Sequence, residues 1–318
     1  MNDELEGHQV NTTTFRGLVP PVITPLTTDR QVDTASLERL VDRLITAGVD
    51  GLFALGSSGE TVLLPDAARD LVLEVVIKTA DGRVPVIAGA IEPATARVFE
   101  RARQAERLGA HAIVTTAPFY VLVGPHEIER HFRTVAEAVE LPLLAYDIPV
   151  CVRQKLSNEL LLRLARDGVI AGVKDSSGDD VAFRQLLVDL RDAGVDDFAA
   201  FTGHEVMVDA MLLAGAAGSV PGLANVDPEG FVRLHRAVVS GDIAGARAEQ
   251  ERLTRLFKIV DAADPATAAG MTRGAGAFKT ALQVLGVIST NAISLPLRPL
   301  DAAETARIHA ILDSVGLI

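Results

Sequence analysis

Lys174 ends the short apolar run Val169-Ile-Ala-Gly-Val-Lys174 and is followed by the loop-type residues Asp175-Ser-Ser-Gly178. The chain carries 30 basic residues but only five lysines, at 78, 155, 174, 258 and 279, so arginine supplies most of its positive charge. A site that keeps lysine can use what arginine lacks. A guanidinium stays protonated, whereas an amine whose pKa is lowered by desolvation or a neighbouring cation attacks a carbonyl and forms a Schiff base. The competing reading is a strand-end lysine in an ion pair with Asp175. Two further stretches could do chemistry. In Gly56-Ser-Ser-Gly-Glu60 the glycines let backbone N–H groups and hydroxyls converge on a small anion such as a carboxylate, or they make an ordinary Gly/Ser turn. Tyr146, one of two tyrosines, is either a phenol that moves protons or an amphipathic core residue.

The elements that must position these residues repeat along the chain. Short apolar runs alternate with longer amphipathic stretches, and the runs are Leu18 to Thr24, Gly51 to Leu55, Val84 to Ala88, Ala112 to Thr116, Leu141 to Tyr146, Val169 to Lys174, Phe198 to Thr202 and Gly218 to Pro221. Asp33-Thr34, Pro65-Asp66, Ser157-Asn158 and Asp227-Pro228 read as helix starts. Eight β/α units predict an α/β fold of the (β/α)8, or TIM-barrel, kind. A doubly wound sheet would usually carry Gly-x-Gly-x-x-Gly after its first strand, and Pro20-Pro-Val-Ile-Thr-Pro25 does not fit. After the eighth unit only helical patterns follow, from Asp242 to Asp261, Met271 to Leu285 and Ala302 to Val315, with loops expected at Asp264-Pro265 and a turn at Gly274-Ala-Gly276. The expected organisation is a flexible N-terminal arm over 1–15, a barrel over 16–240 and a small C-terminal helical domain over 241–318. In such a barrel catalytic groups gather at the C-terminal ends of the strands, so the three stretches share one rim.

Composition narrows the function. A formal charge of −12 works against general nucleic-acid binding, which relies on basic side chains neutralising phosphates. The seven histidines are scattered, and His126 and His131, five apart, fall on different helix faces, so neither a metal nor another cofactor is expected. The apolar runs are too short to span a membrane, and Met1 to Thr14 does not read as a secretory signal. The single cysteine, Cys151, fits a reducing compartment, so cytoplasm is the default expectation.

Taken together, Gly56-Ser-Ser-Gly-Glu60, Tyr146-Asp-Ile-Pro149 and Gly172-Val-Lys-Asp-Ser-Ser-Gly-Asp179 resemble, in order and spacing, the three signatures of the dihydrodipicolinate synthase and N-acetylneuraminate lyase family. Pro118-Phe-Tyr120 and Gly218-Ser-Val-Pro-Gly-Leu-Ala-Asn225 extend the resemblance, which covers about residues 16 to 300. It implies a pyruvate-handling class I aldolase, lyase or dehydratase on a (β/α)8 barrel with a C-terminal helical domain, without a metal and commonly tetrameric. It also implies residue roles. Lys174 would form the Schiff base with a 2-oxo acid, and Tyr146 would relay protons. Ser57 would link Tyr146 to Tyr120 of a neighbouring subunit, Ser57 and Ser58 would hold the substrate carboxylate, and the Val220 carbonyl would lie near pyruvate.

One departure concerns the second substrate. Relatives that make the lysine-pathway precursor usually place an arginine five positions after the tyrosine, and here Cys151 stands there, with Arg153 two residues on. Three readings follow: a lyase or synthase joining pyruvate to an aldehyde or cleaving a 4-hydroxy-2-oxo acid, a 2-keto-3-deoxy sugar acid dehydratase using the same lysine, and a non-catalytic 2-oxo-acid sensor.

Overall fold

The computed structural model describes residues 15–318. The expected arm falls outside them except for Phe15, which is only 4% exposed and packs inside the barrel. Eight parallel strands, β1 (Gly17–Leu18), β2 (Leu52–Ala54), β3 (Val86–Gly89), β4 (Ala112–Thr116), β5 (Leu143–Asp147), β6 (Gly172–Asp175), β7 (Ala199–Thr202) and β8 (Gly218–Ser219), form one sheet. Each strand from β2 to β8 pairs with its neighbour in sequence, and β1 pairs with β8. A parallel bridge between Pro21 and Phe53, with Val22 N–H donating to Phe53 O at 2.8 Å, brings the first run against β2 and closes the barrel.

The first and eighth strands are shorter than their apolar runs because proline interrupts pairing. Pro20, Pro21 and Pro25 offer no N–H to a ladder, and Pro221 ends the eighth run. The sixth run begins late for another reason: Val169 and Ile170 donate to Leu164 O and so finish the preceding helix.

Alternation along each strand divides the core in two. Leu144 and Tyr146 on β5 and Phe201 on β7 point into the barrel with Phe53, Val114 and Val220, while Leu143, Ala145, Val173 and Ala200 pack outward against the helices. The helices start where short polar caps predict. Asp33, Ser157 and Asp227 accept from the backbone N–H groups of Ser36, Leu160 and Gly230 and open Thr34–Ala47, Asn158–Arg166 and Pro228–Ser240.

Beyond the eighth unit come Ile243–Phe257, Ala277–Val284 and Ala302–Ser314. The expected turn at Gly274-Ala-Gly276 is not one. Thr272–Gly276 forms a π-helical turn that runs straight into Ala277–Val284, and neither glycine has positive φ. Gly276 serves packing instead, since a Cβ there would lie 3.2 Å from Leu300 Cδ1. Tertiary contact thus overrode the local turn signal. Among the described residues no helix is long and apolar enough to cross a membrane.

Candidate active site

Lys174 and Tyr146 are direct partners across β6 and β5. Both point inward and both are buried, at 5% and 3% exposure. The Lys174 nitrogen sits 4.4 Å from the centroid of the Tyr146 ring and 4.9 Å from that of Phe53, whose ring meets Tyr146 edge-on at 80°. The ion pair with Asp175 does not form, because neighbouring residues of a strand face opposite sides. Asp175 instead accepts from the backbone N–H and the hydroxyl of Ser177, at 2.8 and 2.7 Å, and faces Lys155 Nζ at 3.5 Å. Asp147, outward on β5, also pairs with Lys155 and accepts from Leu156 N–H. Burial pushes the Asp147 carboxyl up to about 6 despite that partner. With both acids engaged by Lys155, Lys174 has no salt bridge among the described residues.

The loop after β2 is held in a costly shape. Leu55 and Glu60 have φ of 58° and 61°, a left-handed conformation that costs on the order of 1–3 kcal/mol for residues other than glycine. Between them Gly56 backs onto the Phe53 ring, 2.8 Å from where a Cβ would stand, and Gly59 backs onto Val22 O at 2.9 Å. Thr24 donates to Gly59 O at 2.8 Å. Ser57 and Ser58 are thereby presented to the same cavity as Lys174 and Tyr146.

That cavity, about 510 Å³, opens at the C-terminal ends of the strands. Val220, 4% exposed, lies on its wall just after β8, with its N–H bonded to Thr202 O at 2.8 Å. Gly203 makes room for the lysine, since a Cβ there would stand 3.2 Å from Lys174 Cε and 2.2 Å from Ser176 Oγ. The structure therefore brings together Lys174, Tyr146, Ser57, Ser58 and Val220. It leaves Tyr120 outside: 96% exposed, with φ of 71°, it does not line the cavity.

Arg153 also stays away. It is exposed and uses its backbone N–H to cap the short helix Pro149–Val152, so it does not replace the arginine that Cys151 displaces. Cys151 is exposed, and protein packed around its thiol pushes its pKa up against the pull of the Lys174 charge, which disfavours a thiolate nucleophile.

Three polar residues on the cavity wall escaped the sequence reading. His204 and Glu205 follow β7, where the strand-end rule that picked out Lys174 would have found them. His204 Nδ1 meets Asp180 Oδ2 at 2.9 Å. Glu205 accepts from Gly222 N–H at 2.9 Å, and burial holds its carboxyl above the usual range while that bond and the charges of Lys174 and His204 pull it down. Arg273 comes from the π-helical turn and bonds Val260 O and Asp261. No sequence signal marked it, because helical periodicity in the C-terminal segment does not say which turn meets the barrel. The cavity lining also includes the apolar side chains of Ile148, Val150 and Phe278.

Residues 14–315 match the model of the Dihydrodipicolinate synthetase family. A 4-hydroxy-tetrahydrodipicolinate synthase of Phenylobacterium zucineum (strain HLK1) is 34% identical over 307 residues, covering 96% of this chain and 98% of the relative. An uncharacterized DapA-like lyase of Halobacterium salinarum is likewise 34% identical over 306 residues, covering 96% and 95%. The crystal structure of YagE, a prophage protein of the dihydrodipicolinic acid synthase family from E. coli K12 in complex with pyruvate, superposes with a TM-score of 0.89 at 30% identity, covering 96% of this chain and 99% of that one. The fold, the rim motifs and these relatives agree: the chain is a class I aldolase-type lyase and belongs to the Dihydrodipicolinate synthetase family.

Proposed function

We propose that the chain joins pyruvate to an aldehyde through a Schiff base on Lys174, or runs the same steps backwards to cleave a 4-hydroxy-2-oxo acid. The observation that carries this reading is a buried lysine amine with no carboxylate partner among the described residues, facing a cavity that also holds Tyr146, Ser57 and Ser58. The amine adds to C2 of pyruvate, and the carbinolamine loses water as protons pass through the Tyr146 phenol, leaving a protonated imine. The Tyr146 phenolate left by that transfer takes a proton from C3, the C–H electron pair moves toward the iminium nitrogen, and an enamine results. C3 then bonds to the aldehyde carbon, whose oxygen takes a proton from Tyr146, and water releases the product and restores the lysine.

In this reading Ser57 and Ser58 hold the pyruvate carboxylate, and the Val220 carbonyl lies beside it. Tyr120 joins the Ser57–Tyr146 relay from a second copy of the chain in an oligomer, which accounts for an exposed tyrosine in a left-handed conformation. The aldehyde end meets His204, Glu205 and Arg273. Arg273 is the arginine that lines the cavity among the described residues and assumes the part of the missing tyrosine-loop arginine, so 4-hydroxy-tetrahydrodipicolinate synthesis is one specific form of the reaction. Glu205 favours a second form. A carboxyl held above its usual range beside Lys174 can protonate a departing hydroxyl, as dehydration of a 2-keto-3-deoxy sugar acid requires. Water loss keeps the carbon skeleton whole and aldol cleavage releases pyruvate, so product analysis separates the two.

Borohydride reduction in the presence of pyruvate, followed by peptide mass mapping, tests the shared chemistry. The expected result is one reduced adduct, on Lys174. An unmodified Lys174, or equal labelling of Lys78 and Lys155, overturns the reading.

A further inference from the structure

Glu60 closes the strained loop that presents Ser57 and Ser58, yet among the described residues every partner of its carboxylate belongs to the C-terminal segment. One oxygen contacts Lys279 Nζ, and the other accepts from Ser294 N–H at 2.7 Å. Lys279 in turn donates to Ala292 O at 2.8 Å. Both charged side chains are 0% exposed. Burial pulls the Lys279 amine down, and the Glu60 carboxylate opposes that pull.

The residue beside Lys279 reaches the cavity that this loop lines. Phe278 lines the cavity and abuts Gly222, where a Cβ would stand 2.7 Å from the Phe278 ring, 3.3 Å from Ser58 Oγ and 3.4 Å from Glu205 Oε1. The helix Ala277–Val284 therefore holds the serine loop through the ion pair and at the same time sets Phe278 against Gly222, a position on the cavity wall that also borders Ser58 Oγ. A buried ion pair is weak evidence of stability, because an apolar pair of similar volume often serves as well. What the apolar pair lacks is direction: it does not fix the orientation of a left-handed residue two positions from Ser58.

We propose that Glu60 and Lys279 are positioning residues that hold the Ser57–Ser58 loop in register for the substrate carboxylate, making the C-terminal segment part of carboxylate recognition. The proposal rests on the reading of those serines as the carboxylate site. It predicts that the pair affects capture of pyruvate more than the chemistry on Lys174.

The test compares Glu60→Met, Lys279→Met and the double variant, measuring thermal unfolding and the pyruvate concentration that half-saturates borohydride trapping. The double variant, with no unpaired buried charge, is expected to regain most of the wild-type melting temperature while its half-saturation rises by about ten-fold or more, with the same extent of Lys174 labelling at saturation. A purely structural pair predicts that both readouts recover together, and a folded double variant within about two-fold of wild type overturns the proposal. If the double variant does not fold, Glu60→Gln takes its place, because it keeps the shape and the acceptor for Ser294 N–H; an unchanged half-saturation there is equally fatal. If the wild-type chain forms no adduct, the Schiff-base reading fails separately. The clamp is then judged by amide hydrogen exchange of residues 57–60, expected to quicken in whichever of these variants folds; unaltered exchange overturns it.

Discussion

Two lysines of this chain are buried, and they differ in what surrounds them. Lys279 is 0% exposed and fully engaged, with Glu60 for its charge and Ala292 O for a hydrogen bond. Lys174 is 5% exposed and faces a cavity, between aromatic rings, with no salt bridge among the described residues. Burial alone does not make an amine a nucleophile. The one whose hydrogen-bonding capacity is spent on protein is a structural cation, and the one left facing open space beside a phenol can capture a carbonyl. Lys155 is a third case, half in solvent and shared by Asp147 and Asp175.

The sharpest way to break this contrast is Lys174→Arg. Size and charge are kept but the attacking amine is lost, so the pyruvate adduct and turnover should vanish while the melting temperature barely moves. An adduct that persists on another lysine ends the distinction. Lys279→Met should do the reverse. It leaves Glu60 uncompensated in the interior and is expected to lower stability by about 3 kcal/mol or more, read from denaturant unfolding, without moving the site of labelling.

Tyr146→Phe keeps the ring against Lys174 and removes the hydroxyl. Turnover should fall by about 100-fold, while packing and trapped adduct at long incubation change little; near-normal turnover removes the phenol from the mechanism. A smaller effect extends the comparison to imidazoles whose charged form burial opposes, in His235 against the pull of the Asp50 charge. Burial lowers His131 and His235 to about 4. Between that value and the usual value of about 6.5 the unfolded chain binds protons that the folded one does not, so their contribution is present above about 6.5 and lost as pH falls toward 4. The slope per histidine is at most about 1.4 kcal/mol per pH unit, and His235→Gln should flatten the fall of the denaturant midpoint across that window.

The legible and illegible parts of the site differ by the reach of the signal. Lys174, Tyr146 and Ser57 were readable because each ends a local apolar run, and eight repeated β/α units oblige all strand ends to share a rim. His204 and Glu205 carried the same signal and went unread, since neither stands in a glycine-rich or tyrosine motif. Arg273 had no local signal at all. Gly276 misled because glycine marks turns only when nothing else needs its small size, and here Leu300 needs it, whereas nothing lies within 4 Å of a Cβ at Gly274.

The sequence alone determined the barrel, the order of its strands and the rim shared by Lys174, Tyr146, Ser57 and Ser58, because apolar periodicity and strand ends are properties of neighbouring residues. Tertiary structure alone decided which lysine is free, since Asp175 turns away to Ser177 and Lys155, and it alone joined Glu60 to Lys279. Those outcomes depend on which faces meet when the barrel closes and the last helices dock, and local patterning along the chain does not encode contacts between segments that far apart.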